Sequence, residues 1–186
     1  MNPAESSWLI SACIAGNEDA IETLVRQYET GVFKLALSIC NDVFEAYEIT
    51  QETFIAVLRS LPGYQERKSF KAWLYTITIN TARGHLRKRR ITEKLRTTLK
   101  TLFQVEVQNS YTPEETVIQN EKEAALWQAL NSLDERQRIV VVLRYFHELS
   151  IREIAEILSI HEGTIHSRLH TARERLKNSL EPLNGE

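Results

Sequence analysis

The sequence is poor in the residues that interrupt helices, with six glycines and four prolines among 186 residues. β-branched residues almost never alternate with polar ones, as they would along a half-buried strand. These absences argue against a sheet-based fold and predict an all-helical protein. Its length and aliphatic content suit one ordinary domain or two small ones.

Cysteines and long apolar runs are also scarce. Cys13 and Cys40 are the two cysteines, and both stand in periodic apolar segments without metal-ligand spacing. This setting predicts buried, reduced thiols. The sequence has no signal peptide and no apolar run of bilayer-spanning length, so we expect a cytoplasmic protein without membrane insertion.

Catalytic motifs are lacking as well. The sequence has no glycine-rich phosphate loop, no cysteine beside a plausible base, and only carboxylates that fall on ordinary helical faces. His166 and His170 stand one helical turn apart, as zinc ligands sometimes do, and His161 is nearby, but no Cys or Asp clusters with them. We therefore expect neither an enzyme nor a cofactor or metal site.

The formal net charge is only −2, which does not by itself indicate a nucleic-acid-binding protein. The distribution of charge is more informative than its total, because a local basic patch can dominate binding while acidic segments face elsewhere. Basic residues concentrate in two segments, 83–90 and 168–177. Both segments are candidates for contact with phosphates.

Residues 133–176 have the pattern of a helix-turn-helix with its framing helices. Ser150 and Glu153 form a capping-box pair, which predicts a helix start at this point. Apolar residues follow at helical spacing up to Leu158, residues 159–161 interrupt them, and a second periodic set begins at Ile165. Two short helices around a three-residue break are typical of this motif.

The second of these helices has an outer face of small polar side chains, which suits the major groove of duplex DNA. Its arginines and lysine supply charge for phosphates. The alternative is an ordinary amphipathic helix with a solvated polar face. The residues that we expect to contact the duplex are Arg152, Thr164, His166, Ser167, Arg168, His170, Thr171 and Arg173.

The N-terminal half contains two long predicted helices, 19–39 and 44–61, followed by a loop and a third helix from about Ser69. In the third helix, aromatic residues precede a basic run, a combination that suits strand-separated nucleic acid. Phe70, Trp73, Leu74 and Ile77 have helical spacing and are predicted to be core residues instead. The expected nucleic-acid contacts are Tyr64, Gln65, Arg67, Lys68, Ser69, Asn80, Arg83, Arg87 and Lys88.

These features divide the chain into a domain at 1–90, a linker at 91–119 and a helix-turn-helix domain at 120–183. Within the linker, residues 91–103 are compatible with a marginal helix. Acidic and amide side chains lie near the start of the second long helix, where carboxylates interact favourably with the helix dipole. From the residues alone, the simplest interpretation is an acidic face exposed to solvent.

The sequence closely resembles bacterial sigma factors, most nearly the small extracytoplasmic-function (ECF) class. The resemblance is carried by the segments 133–138, 143–146, 150–158 and 163–169, and by Trp73-Leu74-Tyr75 and Asn80-Thr81-Ala82. It implies that the C-terminal domain reads an upstream promoter element and that the N-terminal domain captures a flipped base and helps to melt the start-proximal element.

The same resemblance implies protein partners. The segment 48–54 is similar to the part of sigma factors that docks on the clamp helices of the largest subunit of core RNA polymerase, which implies contacts by Glu48, Gln51, Glu52 and Phe54. It further implies a contact with the flap of the second-largest subunit and an anti-sigma factor that covers the polymerase-binding surfaces. A helix-turn-helix regulator that works without polymerase is the alternative.

Two departures from the family pattern qualify these expectations. Glu48-Ile49 replaces a frequent Asp-Leu pair, and His166 and Thr171 stand where family members often have basic residues. Bidentate arginine contacts to guanine are the strongest base contacts, so their absence predicts an upstream element of altered sequence.

A relaxed linker of this length spans roughly 30 Å, whereas the two promoter elements lie roughly 70 Å apart. We therefore expect the free protein to bind promoter DNA poorly.

Overall fold

The computed structural model describes residues 3–65, 69–103 and 128–180, and all regular structure in these ranges is helical, which confirms the predicted all-α class. The helices are α1 (Pro3–Ile14), α2 (Glu18–Cys40), α3 (Val43–Ser60), α4 (Phe70–Phe103), α5 (Glu135–Val141), α6 (Ile151–Leu158) and α7 (Glu162–Leu180). A 3₁₀ turn spans Leu61–Gly63, and a π-helical turn spans Val142–Phe146. Residues 128–131 are also helical.

Helices α1–α4 form an N-terminal unit around one apolar core. Asn17 and Asp42 cap α2 and α3 by accepting hydrogen bonds from Ala20 N and Glu45 N, as side chains at helix starts commonly do. Between the two helices, Asn41 takes the left-handed conformation that ends α2. The centre of the core is fully buried and consists of Leu24, Val32, Leu35, Ile49, Val57 and Leu74.

Helix α4 confirms part of the sequence analysis and extends it. Phe70 and Leu74 are buried, and Trp73 and Ile77 pack partly buried against the same core, as predicted. The helix does not end at the predicted domain boundary near residue 90 but continues to Phe103. The helical alternative for residues 91–103 is thus the correct one, and the rest of the predicted linker lies outside the described residues.

Both cysteines are free and buried, as predicted. Burial raises the pKa of the Cys40 thiol to about 11. None of the helices in the described part of the chain is long and apolar enough to cross a membrane.

Helices α5–α7 form a C-terminal unit with the predicted helix-turn-helix. The capping box is present in full: Ser150 Oγ accepts from Glu153 N at 3.2 Å, and the Glu153 carboxylate accepts from Ser150 N at 2.8 Å. Ser159 adopts the left-handed conformation, with φ of 54°, which ends α6 before α7 begins at Glu162. The apolar stripes of the helices meet in a core of Ile139, Leu143, Ile154, Ile165 and Leu169.

The two units pack against each other, α5 against α2 and α6 against α4, and their buried apolar residues form one continuous cluster. We call the polar part of this contact the seam. It brings α5 and the end of the π-helical turn against α2 and α4, and its members are Gly31, Lys34, Ser38, Lys71, Tyr75, Arg138, Phe146 and His147. Arg138 Nε donates a hydrogen bond of 2.6 Å to the Ser38 carbonyl. This carbonyl lies in the last turn of α2, where backbone acceptors lack partners within the helix and the helix dipole favours a cation.

Candidate nucleic-acid interface

Helix α7 separates its residues into the two predicted faces. Ile165, Leu169 and Ala172 are buried against the rest of the C-terminal unit. This anchoring fixes the rotation of the helix about its axis, so the opposite face is held outward. The exposed residues on that face are His166, Ser167, His170, Thr171 and Arg173, while Thr164 and Arg168 are half-buried at its margins. All these side chains carry hydrogen-bonding groups at the spacing of one helical face.

Tyr145 supports this face, although the sequence analysis did not single it out. Its hydroxyl oxygen accepts a hydrogen bond of 2.9 Å from Arg173 Nε, which joins the π-helical turn to α7. The ring is more than half exposed and lies beside the polar face. The two residues are 28 positions apart in the chain. No local pattern could therefore have connected them.

Arg152 lies on α6 and is exposed, as the sequence analysis expected. Its Nε lies 3.4 Å from a Glu156 carboxylate oxygen one turn further along the same helix. An exposed pair of this kind is weak, because both groups remain hydrated. The guanidinium can therefore exchange the carboxylate for a phosphate.

Arg168 belongs to a cluster of positive charge that crosses from one unit to the other. Burial lowers the pKa of Arg168, and the charges of Arg136 and Arg83 act in the same direction, opposed by Asp134. Arg136 is an exposed basic residue that the sequence analysis did not select. Since Arg83 lies on α4, the arrangement brings a predicted contact of the N-terminal unit near the predicted contact surface of the C-terminal unit.

The predicted contacts on α4 lie on its exposed surface. Asn80, Arg83, Arg87 and Lys88 are all exposed, and their spacing places them on one side of the helix. The side thus presents three cations and one amide within little more than two helical turns. Such a row suits the phosphates of a nucleic-acid strand.

The loop before α4 differs from the expected picture at one position. Gln65 and Ser69 are exposed, but Tyr64 is half-buried, because its ring packs against Trp73 and Phe70 with centroids 5.0 and 5.5 Å away. Tyr64 is therefore part of the wall of the loop rather than a freely exposed side chain. The predicted contacts Arg67 and Lys68 lie outside the described residues.

Helix α3 presents an exposed face, but not every predicted residue lies on it. Glu48 and Gln51 are exposed, and Glu52 is exposed with a carboxylate oxygen 2.7 Å from His85 Nε2. Phe54 is only 7% exposed and packs in the core, which differs from the surface contact that the resemblance implied. Phe54 falls on the inner face because it is separated from Val57 and Thr50 by one turn of the helix, and both are buried.

Exposed apolar side chains complete this face of α3. Phe44 is 69% exposed, and Tyr47 and Ile55 are about half exposed. Together with Glu48 and Gln51, these residues follow the three- and four-residue spacing of a single helical face. That spacing was available in the sequence and would have identified Phe44 and Ile55. We call this set of five residues the α3 face.

In the described ranges, no group of three His, Cys, Asp or Glu residues is arranged to hold a metal ion. The site thus consists of a helix-turn-helix surface, a basic helix in the second unit and an exposed α3 face. These features describe a two-unit helical protein with a candidate surface for nucleic acid.

Comparison with known proteins identifies the family. Residues 24–91 match the model of Sigma-70 region 2, and residues 123–176 match the model of Sigma-70, region 4. The ECF RNA polymerase sigma factor SigW of Bacillus subtilis is 32% identical over 173 residues, which are 90% of this chain and 92% of the relative. The chain belongs to the ECF RNA polymerase sigma factors, which act in transcription initiation.

A second relative supports the family, and two solved structures share the fold. The RNA polymerase sigma-H factor of Pseudomonas aeruginosa is 32% identical over 180 residues, covering 94% of this chain and 93% of the relative. The fold is similar to that of the sigma factor RpoE in its complex with the anti-sigma factor NepR from Bartonella quintana. The TM-score is 0.68 at 23% identity, with coverage of 86% of this chain and 96% of the other. CnrH in complex with the cytosolic domain of CnrY gives a TM-score of 0.66 at 23% identity, with coverage of 94% and 96%.

Proposed function

We propose that this sigma factor reads an upstream duplex element with the exposed face of α7 and opens a start-proximal element with the N-terminal unit. The observation that carries the proposal is the polar face of α7, held outward by the buried residues Ile165, Leu169 and Ala172. A major groove admits a helix and presents a distinct hydrogen-bonding pattern for each base pair. Ser167, His166 and Thr171 are of suitable size to read that pattern.

Two groups of residues on this surface have different roles in this proposal. His166, Ser167 and His170 address base edges, while Arg152, Arg168 and Arg173 address phosphates and position the helix. Thr164 and Thr171 supply hydroxyl groups at its margins. Positions 166 and 171 hold histidine and threonine and not arginine or lysine. This supports an upstream element that is not read by bidentate arginine contacts to guanine at these positions.

The N-terminal unit contacts single-stranded promoter DNA in the same proposal. Asn80, Arg83, Arg87 and Lys88 follow the strand along α4, and the loop at residues 64–69 receives an unstacked base. The rings of Tyr64 and Trp73 form an aromatic wall at this loop, and aromatic surfaces stabilise unstacked bases by stacking.

Core RNA polymerase docks on the α3 face in this proposal, through the clamp helices of its largest subunit, while the C-terminal unit contacts the flap of the second-largest subunit. The α3 face combines exposed apolar side chains with Glu48 and Gln51, a mixture typical of protein interfaces. Phe54 supports this face from the core. The similar sigma factor RpoE of Bartonella quintana was solved with the anti-sigma factor NepR, which supports a partner of that kind here, acting in the cytoplasm where the polymerase works.

The test of docking is co-elution of the purified protein with bacterial core RNA polymerase in size-exclusion chromatography. A Glu48→Ala, Gln51→Ala variant should lose co-elution while keeping its helical circular dichroism spectrum. Glu22→Ala, Thr23→Ala is the matched control, because it also removes one carboxylate and one neutral polar group from an exposed helical surface of the same unit. Phe54 is not substituted, because a core change would unfold the unit.

Loss of co-elution in the double variant but not in the control would support docking on the α3 face. If both variants and the wild type co-elute equally, the docking surface lies elsewhere. If the folded wild type does not bind core polymerase but binds duplex DNA alone, the polymerase-dependent function is wrong for this chain.

A further inference from the structure

The seam between the two units is centred on one buried histidine. His147 is 3% exposed, and its Nδ1 lies 2.9 Å from the Tyr75 hydroxyl oxygen, with which it shares a hydrogen bond. Lys71 Nζ donates a hydrogen bond of 2.6 Å to the His147 carbonyl. The second ring nitrogen, Nε2, is buried without a hydrogen-bond partner. A protonated ring would therefore place an unpaired cation in the seam, which is costly.

Gly31 of α2 makes the close approach at this point possible. A Cβ atom at this position would lie 2.7 Å from the Tyr75 hydroxyl oxygen and 3.3 Å from His147 Cε1. Glycine in a helix interior costs about 1 kcal/mol relative to alanine. The seam, rather than the helix, therefore requires glycine here, because a methyl group would force His147 and Tyr75 away from α2.

The charges of Lys71 and Lys34 oppose the protonation of His147, and the neutral Tyr75 hydroxyl also contacts its ring. Lys71 and Tyr75 reach it from α4, and Lys34 reaches it from α2, where its Nζ lies 4.4 Å from the centre of the neighbouring Phe146 ring. Burial, with a smaller contribution from Tyr28 of α2, raises the pKa of Tyr75 above its ordinary value. Burial, followed by the charges of Lys71 and Lys34, lowers the pKa of His147 to about 3. His147 is therefore neutral in the closed arrangement near pH 7.

We propose that the seam is a proton-sensitive latch, in which neutral His147 holds the two units closed and its protonation releases them. The latch is a property of the free chain and does not depend on the proposed function. Its consequence for that function is steric. The closed arrangement brings Arg83 near Arg168, whereas two promoter elements about two helical turns apart lie roughly 70 Å from each other. The units must separate before both elements can be read.

The direction of the pH effect follows from the difference between the two states. Histidine in the open state has an ordinary pKa of about 6.5, whereas the pKa is depressed in the closed state. The contribution of His147 to closure is therefore complete above about pH 6.5 and is lost as the pH falls towards the closed-state value. The ratio of closed to open molecules should fall about tenfold between pH 7.5 and pH 5.5.

The experiment is small-angle X-ray scattering of the full chain at pH 7.5 and pH 5.5, with circular dichroism at each pH to verify the helices. The radius of gyration of the wild type should increase at pH 5.5. The radius of gyration of Gly31→Ala should be increased already at pH 7.5, although alanine has a higher helix propensity than glycine and so stabilises α2 itself. Gly84→Ala is the matched control, since it makes the same change inside α4 at a site where a Cβ meets no atom within 4 Å, and it should keep wild-type dimensions.

Two further variants test the proton itself. His147→Gln keeps a neutral hydrogen-bonding group and should lose the expansion at pH 5.5. His161→Gln, at an exposed histidine in the turn before α7, should retain it. Equal dimensions of Gly31→Ala and wild type at pH 7.5 would overturn the latch, and so would a wild type that is already expanded at pH 7.5.

The remaining outcomes are also decisive. Acid expansion that persists in His147→Gln would assign the proton to another group and contradict the proposal. If acid unfolds the helices of the wild type, the comparison of Gly31→Ala with Gly84→Ala at pH 7.5 decides whether the latch exists, and the ¹H–¹³C NMR signal of the His147 ring above the unfolding pH decides its protonation. A His147 pKa near 6.5 in the closed chain would overturn the proposal.

Discussion

The interior of the N-terminal unit and the centre of the seam are both buried, but they differ in chemical composition. Leu24, Ile49 and Val57 are fully buried and apolar, whereas the seam is joined through Arg138 and His147, with hydrogen bonds to backbone and side chains. Exposing buried apolar surface to water is unfavourable, so opening the interior is costly. Polar groups regain hydrogen bonds to water when they separate. The comparison teaches that the polar seam should resist opening less than the apolar interior does.

Truncation in the interior should have the largest effect. Ile49 lies on α3, away from the seam, and is fully buried. Ile49→Ala should reduce the free energy of unfolding by about 2–5 kcal/mol, because it removes buried methyl groups and leaves a cavity. Urea denaturation followed by circular dichroism measures this loss. A change below 1 kcal/mol would mean that the apolar interior is far less tightly packed than the structure indicates.

Truncation in the seam should separate the units without unfolding either of them. Arg138→Met keeps the length of the side chain but removes the hydrogen bond to the Ser38 carbonyl and leaves that carbonyl unpaired. Hydrogen bonds to charged groups contribute about 1.5–3 kcal/mol. We expect thermal unfolding to change from one transition to two, measured by calorimetry.

Arg144→Met is the control for this prediction. Arg144 Nη1 donates to the Leu149 carbonyl at 2.8 Å, a contact inside the C-terminal unit. Its loss should lower the stability of that unit but leave the number of transitions unchanged. If Arg138→Met and Arg144→Met give the same unfolding profile, the seam does not couple the two units.

Removing a helix cap in each unit should have a smaller effect on stability and allows the two units to be compared. Ser150→Ala removes the cap of α6, and Asp42→Ala removes the cap of α3. Each should reduce the stability of its own unit by about 1 kcal/mol. Hydrogen exchange should report the loss in the C-terminal amides for Ser150→Ala and in the N-terminal amides for Asp42→Ala. Equal losses in both units for either variant would show that these amides exchange by unfolding of the whole chain and not by opening of one unit.

Single substitutions on α7 should have the smallest effects and should differ in kind. Arg173→Ala should weaken promoter binding by the holoenzyme on all sequences and reduce the salt slope by about 1, because a phosphate contact is lost. Ser167→Ala should change the preference among upstream elements by about twofold to tenfold, the effect of one hydrogen bond. Filter binding to a panel of promoters measures both. Equal losses on every sequence for both variants would contradict this division of tasks.

Local sequence patterns were sufficient to predict much of the fold and the exposure of most residues on the candidate DNA-binding surface. The capping box of Ser150 and Glu153 identified the start of α6, and the spacing from Ile165 to Ala172 identified the buried and exposed faces of α7. These predictions depended on residues three or four positions apart, which a helix brings together whatever surrounds it. The contact roles of the exposed residues on α7 and α4 stay predictions.

Predictions for individual side chains, from the resemblance or from the loop pattern, were less secure. Phe54 was expected at a surface and is buried, and Tyr64 was expected to be free in a loop and packs against Trp73. Both differences arise because the orientation of a helix face, or of a loop, is settled by what packs against it. Phe44 and Ile55, on the exposed side of α3, could have been found from their helical spacing.

The sequence by itself determined the helices, their caps and the polar face of α7, because these depend on neighbours along the chain. The tertiary structure decided the seam. Tyr75 and His147 are 72 positions apart, and Ser38 and Arg138 are 100 positions apart. Chain patterns do not record such distances, since any exposed histidine or arginine would read the same in the sequence. Only the packing of the two units makes His147 a buried neutral group and Gly31 a position where a methyl group does not fit.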